Sequence, residues 1–228
     1  MSVLWAKAKL TLKAMSCRHA QFKDYYESLL PLLELPVRVA PLMAMDLEMT
    51  GLDPIKDQIL SIGLIPINKG VIELSGAEQC LVQITGSVGQ SATIHGIVDS
   101  ELTHAVSIEE AMVWFMEKTR GRVLVAHYSP LDSRFLQHNI QAIFKARLIL
   151  PTIDTLMIER TRLLREHSVL KEGMLRLGAC RERYALPVYS AHSALTDALA
   201  CAELLLAQVA AMGNDEDTQV AELLSRSG

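Results

Sequence analysis

The chain has 228 residues, enough for one domain with a substantial core and some extension. Half of its residues are hydrophobic and 21% are charged, as in an ordinary globular protein, and a net charge of −4 excludes a surface that attracts nucleic acid everywhere. Four cysteines without CxxC spacing argue against zinc and disulfide frameworks and favour the cytoplasm, and neither a secretory leader nor a membrane span of about 20 apolar residues is predicted.

Residues 1–40 are predicted to form a helical extension, because apolar residues recur at helical spacing between lysines. The extension would either pack against the main domain or act as a docking arm for a partner. Pro36 and Pro41 mark the entry to the main domain, which we place at 41–212. Residues 213–228 are predicted to be a C-terminal tail, in which 220–224 could add a helical turn. The spaced apolar residues of the extension are Trp5, Ala8, Leu12 and Met15.

Within 41–212, the pattern of apolar and turn-forming stretches predicts an α/β domain with a mixed sheet. Strands are predicted at 42–48, 58–67 and 71–84, and a three-residue hairpin at Asn68-Lys69-Gly70 joins the last two. The remaining predicted elements are a helix at 107–119, a strand at 122–127, a helix through Asp132, a strand at 148–154, and helices at 155–166, 168–178 and 193–211.

Acidic residues stand at the ends of predicted strands or just beyond them. Asp46 and Glu48 close the first strand, and side chains two residues apart in a strand point to the same face. Asp132 falls in the first turn of a helix whose expected N-cap is Ser129, and His127 ends the strand before it in a capping or substrate-facing position. A solvated strand end or a helix-stabilising charge would explain each acid taken alone.

A third stretch contains His192 and Asp197, which are five residues apart and would not share a face of one regular helix. The sequence permits His192 on a loop, with Ser193 as the N-cap and Asp197 in the first helical turn. A loop histidine in a satisfied hydrogen bond is the ordinary alternative. Together, four carboxylates suit Mg²⁺ or Mn²⁺, which prefer oxygen ligands, and a neutral histidine can act as a base near pH 7.

The stretches DLEMTG from 46, HxxxxD at 127–132 and HxAxxDA from 192 resemble, in this order, the motifs of the DEDD exonuclease superfamily, histidine variant. That family includes the proofreading ε subunit of bacterial replicative DNA polymerase. The resemblance covers roughly 42–210 and implies a ribonuclease H-like fold with a five-stranded mixed sheet. It implies that Asp46, Glu48, Asp132 and Asp197 hold two Mg²⁺ or Mn²⁺ ions. His192 and Glu48 would be catalytic, His192 as general base, and the terminal nucleotide would lie against a turn formed by Met49, Thr50, Gly51 and Leu52.

Other details of the resemblance concern the substrate and the branch of the family. An HGI element at 95–97 matches the ε-like branch and assigns His95 to the substrate side, although a structural turn is the alternative. The second motif often has Asn where this chain has Tyr128, and Phe where it has Leu131, which affects substrate positioning. The first motif is closer to oligoribonuclease, whereas the five-residue spacing from His192 to Asp197 favours the ε-like branch.

The expected function is therefore a metal-dependent 3′→5′ exonuclease that acts on single-stranded DNA 3′ ends, with RNA as a further candidate and a polymerase or repair protein as a candidate partner. The alternatives are oligoribonuclease-like degradation of short RNA and a non-catalytic nucleic-acid-binding or polymerase-binding module. An aspartyl-phosphate phosphatase is a remoter alternative, suggested by Asp46-x-Glu48-x-Thr50. The segment 145–183 has nine Lys and Arg against five Asp and Glu, and would either contact upstream phosphates or form solvated helices.

Overall fold

A computed structural model describes residues 3–190, 192–213 and 218–226. Its strands are β1 Leu42–Met49, β2 Ile59–Asn68, β3 Val71–Ile72, β4 Glu78–Leu81, β5 Val123–Ala126 and β6 Thr152–Asp154. Its helices are α1 Val3–Ser16, α2 Ala20–Leu29, α3 Ala92–His95, α4 Asp99–Leu102, α5 Ile108–Thr119, α6 Ser129–Phe144, α7 Thr155–Leu163, α8 Leu177–Glu182, α9 Ala194–Ala211 and α10 Val220–Arg226.

The sheet is mixed, which confirms the predicted α/β class. Its order is β3-β2-β1-β5-β6, with β4 also paired to β2. The β1–β2 pair is antiparallel, whereas β5 is parallel to both β1 and β6. The predicted strand at 71–84 is wrong as a single element, because a 3₁₀ turn at Leu74–Gly76 divides it into β3 and β4. Both parts pair with β2, so the sheet has six strands instead of the expected five.

The hairpin between β2 and β3 is confirmed, but its loop is shorter than expected. Asn68 pairs with Val71, which leaves only Lys69 and Gly70 in the loop. Both have positive φ, 51° and 72°. This is the conformation of a type I′ turn, whose twist matches that of the flanking strands.

Two other predicted elements end differently in the structure. The predicted strand at 148–154 is only three residues long, because Pro151 has no N–H to donate to a sheet and β6 begins after it. The predicted helix at 168–178 is wrong: α8 begins at Leu177, after a series of turns. Gly173 lies in those turns with φ of 81°, a left-handed conformation that interrupts a right-handed helix.

The N-terminal helices pack into the core of the main domain. Ala14, Phe22 and Tyr26 are buried in the same apolar cluster as β1 and β5. The predicted helix is present here, and two of its spaced apolar residues, Leu12 and Met15, are 65% and 77% exposed.

The end of the chain packs against its beginning. Within the predicted tail, α10 packs against α1, α7 and β6 and buries Val220, Ala221 and Leu223. Residues 214–217 and 227–228 of that tail lie outside the described residues.

The longest helix, α9, packs against β1 and β2. Its 18 residues are long and apolar enough to cross a membrane by length and composition alone, contrary to the sequence-based expectation. Half of that stretch is buried inside the fold, as expected for the core helix of a globular protein.

Candidate active site

The first two acids lie on the central strand. Asp46 and Glu48 are two residues apart in β1, which places both side chains on one face of the sheet. The register of β1 against β2 shifts between Glu48 and Met49, so regular pairing ends where the acids end. Irregular strand ends of this kind are common beside active sites, because they redirect side chains.

The third acid, Asp197, is on α9, and this helix packs very close to the sheet. Gly63 of β2 lies opposite Asp46 in the register, and a Cβ atom at Gly63 would overlap the backbone of Ala194, the first residue of α9. This close approach brings Asp197, in the first turn of α9, to the β1 acids. Carboxylate oxygens of Asp46, Glu48 and Asp197 lie within 4.8 Å of one another.

The fourth acid, Asp132, is buried in the first turn of α6, as the sequence predicted. The predicted N-cap, Ser129, is wrong by one residue. Tyr128 occupies that position with φ of 72°, and Ser129 is the first helical residue. Asp132 lies near enough to Asp46 and Glu48 for their charges to affect one another.

Another buried acid near the site, Asp154, was missed in the sequence. It ends β6 and caps α7, accepting hydrogen bonds from the backbone N–H groups of Leu156 (2.9 Å) and Met157 (3.3 Å). It also accepts from the N–H of Ser129 (2.9 Å) and of Tyr128 (3.1 Å) at the start of α6. One carboxylate thus fixes the N-termini of two helices. An Asp between a strand and a helix is a capping signal that the sequence did contain.

The acids repel one another and are poorly hydrated. Burial raises the pKa of Asp46 well above its ordinary value, and the charges of Asp132, Asp197 and Glu48 raise it further. Burial also raises the pKa of Glu48 to about 7, with Asp197 adding to it, and the pKa of Asp132 to about 8, with Asp154 and Glu48 adding to it. Among the described residues, none of the four predicted metal ligands forms an ion pair with Lys, Arg or His. Oxygen donors that need positive charge fit a hard divalent cation.

His192 lies on an exposed loop before α9, as predicted, with Ser193 as the N-cap residue. Its φ is 73°, and its backbone N–H donates to Oδ2 of Asp197 at 2.9 Å. This hydrogen bond holds the loop against one of the acids. The His192 side chain therefore starts from a backbone position tied directly to the acidic cluster.

The base of the same loop is anchored by a buried arginine. The Arg181 guanidinium donates to the Pro187 carbonyl at 2.8 Å and to the Glu203 carboxylate on α9 at 2.7 Å. The Tyr189 hydroxyl donates to the other oxygen of Glu203 at 2.9 Å, and the tyrosine ring lies under the Arg181 cation. The loop is thereby attached to α9 at two points before it reaches His192.

Two other histidines have different surroundings. Burial lowers the pKa of His95, and the charge of His192 lowers it further, so the two histidines are near enough to affect one another. His95 Nδ1 accepts from the N–H of Ile97 at 3.1 Å, whereas its buried Nε2 has no partner among the described residues. His127, in contrast, is bonded through Nδ1 to Thr155 and through Nε2 to the Leu175 carbonyl, both at 2.8 Å. His127 thereby joins the end of β5 to α7 and to the loop before α8.

The turn after β1 is braced by its own side chains. Thr50 Oγ1 accepts from the N–H of Gln58 at 3.0 Å and donates to Asp57 at 3.3 Å, so the hydroxyl is already used within the turn. A Cβ atom at Gly51 would overlap Asp57. Met49 is partly buried against the core, whereas Leu52 is 70% exposed. In the turn predicted to lie against the terminal nucleotide, Leu52 is therefore the apolar side chain that remains exposed.

Part of the basic charge in segment 145–183 is used in ion pairs within the fold, so less of it is available to bind phosphates than the sequence indicated. Arg162 and Arg183 pair with the buried carboxylate of Glu159 at 2.7 and 3.3 Å. Arg181 is itself buried and pairs with Glu203. Three of the nine basic residues therefore hold the fold together, which reduces the basic surface expected for upstream phosphates.

The sequence family is decided by a match over 43–205 to the exonuclease family that includes ribonuclease T. The chain belongs to this exonuclease family. It is 30% identical over 185 residues to the PolC-type DNA polymerase III of Thermotoga petrophila, a match that covers 81% of this chain and 13% of that protein. It is 29% identical over 163 residues to the PolC-type enzyme of Caldanaerobacter subterraneus, which covers 71% of this chain. The chain spans about 11 to 13% of the length of these curated relatives.

Solved exonuclease structures share the fold. Exonuclease X in complex with 5′ overhanging duplex DNA superposes with a TM-score of 0.62 at 21% identity, over 82% of this chain and 99% of that one. Cell-death related nuclease 4 superposes with a TM-score of 0.65 at 16% identity, over 79% of this chain and 66% of that one. Exonuclease I of E. coli with a dT13 oligonucleotide gives 0.63 at 13% identity, over 73% and 40%. The ribonuclease H-like fold of this exonuclease family member is thereby confirmed.

Proposed function

We propose that the chain is a metal-dependent 3′→5′ exonuclease that removes nucleotides from single-stranded DNA and releases nucleoside 5′-monophosphates. The observation that carries this proposal is the convergence of Asp46, Glu48 and Asp197 within 4.8 Å, with Asp132 buried beside them. These four acids are gathered from β1, α6 and α9, and none of them has a basic ion-pair partner among the described residues. Such an arrangement costs folding free energy unless a cation binds.

Asp46, Glu48, Asp132 and Asp197 would hold two divalent ions, Mg²⁺ or Mn²⁺. When bound, these cations supply positive charge that stabilises the transition state of phosphodiester hydrolysis and promotes ionisation of water. The donor set is all oxygen, which suits these metals better than zinc. Burial of Glu48 and Asp132 keeps their carboxylates poorly hydrated, which strengthens their attraction for any cation that enters.

His192 would be the general base. The proposal is supported by the backbone N–H of His192, which donates to Asp197 and ties the exposed loop that carries the histidine to the acids. The neutral imidazole takes a proton from the attacking water while the new P–O bond forms. The bond from phosphorus to the 3′ oxygen of the preceding nucleotide breaks, and that oxygen takes up a proton. The products are a nucleoside 5′-monophosphate and a strand shorter by one nucleotide.

The turn from Met49 to Leu52 would confine the reaction to strand ends. It follows directly on the acids and is braced by Thr50 and Asp57, so it forms a fixed wall beside them. A wall at this place leaves room for a terminal nucleotide and blocks a continuing strand. Solved relatives in fold contain DNA with a single-stranded portion, namely 5′ overhanging duplex DNA and a dT13 oligonucleotide, which supports the choice of substrate.

A nuclease assay with linear and circular substrates tests the proposal. Linear single-stranded DNA labelled at the 5′ end should be shortened stepwise in Mg²⁺ or Mn²⁺, whereas a closed circle of the same sequence should persist. EDTA should stop the reaction reversibly. Nicking of the circle at the same rate would show an endonuclease, and binding without shortening would support the non-catalytic module instead.

A parallel assay with a short RNA separates the nearest alternative. An enzyme of the oligoribonuclease kind would degrade a dinucleotide RNA faster than a long single-stranded DNA. We expect the reverse order of rates here, because the nucleic acid in the solved relatives in fold is DNA.

A further inference from the structure

Tyr128 combines an exposed ring with an unfavourable backbone conformation at the start of α6. Its side chain is 50% exposed and, among the described residues, makes no hydrogen bond or ring contact. Its φ is 72°, in the left-handed region. Nothing in the fold accounts for a large aromatic residue here.

The other four tyrosines, all within the described part of the chain, each have a structural place. Two are buried in the core, and one of these accepts a hydrogen bond from the backbone N–H of Ile149 at 2.8 Å. The other two donate their hydroxyl groups to Glu159 at 2.8 Å and to Glu203 at 2.9 Å. These four residues are Tyr25, Tyr26, Tyr184 and Tyr189. Tyr128 is thus the tyrosine whose ring the fold does not use.

The backbone conformation of Tyr128 adds a cost that another residue would avoid. Asn and Gly enter the left-handed region easily, whereas a bulky aromatic residue does so at an energetic penalty. The conformation is fixed because the N–H groups of Tyr128 and Ser129 both donate to the buried Asp154. Strain retained beside a catalytic cluster commonly reflects function and not packing.

Tyr128 lies at the same end of the sheet's strands as the acids. It lies two residues beyond the end of β5, which is hydrogen-bonded between β1 and β6. It also lies four residues before Asp132, at the N-terminus of the same helix. A ligand bound at the acids would therefore pass the exposed ring.

We propose that Tyr128 is a specificity residue that stacks on an unpaired base of the strand next to the scissile nucleotide. This inference rests on the proposed exonuclease function and adds a reason for preferring single strands. A base inside a duplex is already stacked and paired, so only an unpaired base offers its face to the ring. Stacking tolerates any base, so the contact would add affinity with little sequence preference.

The test uses variants that remove the ring while relieving the strain. Tyr128→Asn and Tyr128→Gly should raise the melting temperature, because both residues accept the left-handed conformation. In single-turnover assays on linear single-stranded DNA, both should raise the half-saturating protein concentration by roughly 5- to 100-fold and leave the maximal rate within about threefold. Tyr128→Phe keeps the ring and should restore most of the lost affinity.

A substrate with one base removed locates the contact. Abasic sites at each of the last four positions of the strand are compared between wild type and Tyr128→Gly. At the stacked position, loss of the base should weaken binding of the strand by the wild type and leave binding by Tyr128→Gly unchanged. Ala185→Asn is the matched control: Ala185 is also exposed and left-handed (φ 52°), so its variant should gain stability with unaltered kinetics.

The outcomes separate this inference from the proposed function. If wild type and Tyr128→Gly trim linear DNA with the same half-saturation, the stacking role is wrong and the exonuclease function stands. If Tyr128→Phe loses as much affinity as Tyr128→Gly, the hydroxyl and not the ring makes the contact, which also overturns the proposal. If the wild-type protein trims no linear strand, both proposals fail together.

Discussion

Gly63 and Ala194 are so close that the backbone carbonyl of Ala194 occupies the space of a side chain at Gly63. Gly63 is paired with Asp46, and Ala194 starts the helix that carries Asp197. The missing side chain on β2 therefore sets the distance between acids that come from opposite ends of the sequence.

Gly63→Ala should displace α9 and damage both the fold and the site. Forcing a methyl group into a filled space typically costs about 1–3 kcal/mol of folding free energy. We also expect a fall in exonuclease rate of at least about tenfold, because Asp197 would move away from Asp46. Gly178→Ala on α8, where a Cβ meets nothing within 4 Å, is the control and should leave the rate unchanged and stability equal or higher. Equal behaviour of the two variants in denaturant unfolding would contradict this account.

The metal-free protein should lose stability as pH rises. The pKa of Asp132 is raised from 3.8 to about 8 in the folded protein, mainly by burial. A raised pKa means that the folded state holds the proton more tightly, so stability is highest below the unfolded value and falls towards pH 8, by at most about 1.4 kcal/mol per pH unit for each such group. Melting curves in EDTA between pH 5 and 8 measure this. Asp132→Asn should flatten the slope, and Mg²⁺ or Mn²⁺ should abolish it; a melting temperature that rises with pH would refute the prediction.

His192→Asn tests the general base without disturbing the loop. Asn accepts the left-handed conformation observed at His192, so the loop should keep its shape. We expect the maximal rate to fall by roughly 10²–10⁴-fold, with little change in half-saturation and with loss of the acidic limb of the pH–rate profile. His138→Asn, at an exposed position of α6, serves as the control. Retention of the acidic limb in His192→Asn would assign the base to another group.

Asp154→Asn tests whether Asp154 positions the acids without binding metal. Its carboxylate accepts from the start of both α6 and α7, and an amide cannot accept at its nitrogen. We expect a loss of about 1–3 kcal/mol and a higher metal concentration for half-maximal rate, because α6 carries Asp132. Asp99→Asn removes a comparable but exposed acceptor of the Val88 N–H and should leave the metal dependence unchanged. An unchanged metal dependence in Asp154→Asn would limit Asp154 to a stabilising role.

The positions of the four acids in strands and helices were predicted well from sequence, because each acid lies where a local pattern of strand or helix residues applies. Asp46 and Glu48 follow from the period of two in a strand, and the positions of Asp132 and Asp197 follow from helix-start signals. Gly63 also carried a usable signal, since glycine inside an apolar strand often marks a close backbone approach. That signal gives no information on which element approaches, so the contact with α9 needed the structure.

The surface charge was predicted poorly because pairing partners lie far apart in sequence. Arg183 pairs with Glu159, which is 24 residues away, and Arg181 pairs with Glu203, which is 22 residues away. A net count over 145–183 includes one of these acids and omits the other. The exposure of Leu12 and Met15 could not be predicted for a similar reason: their helical spacing is visible in sequence, but which residues of α1 are buried depends on α2 and α10, against which α1 packs.

The two ends of the described fold are joined by backbone hydrogen bonds. The N–H of Val37 donates to the carbonyl of Thr218, and the N–H groups of Val220 and Ala221 donate to the carbonyls of Leu35 and Leu33. Because α10 also covers α1, the apolar surface of α1 stays open during translation until α10 has been synthesised. A nascent chain halted between α9 and residue 220 would expose that surface and would be a substrate for chaperones or proteases, even though all four acids had already been made.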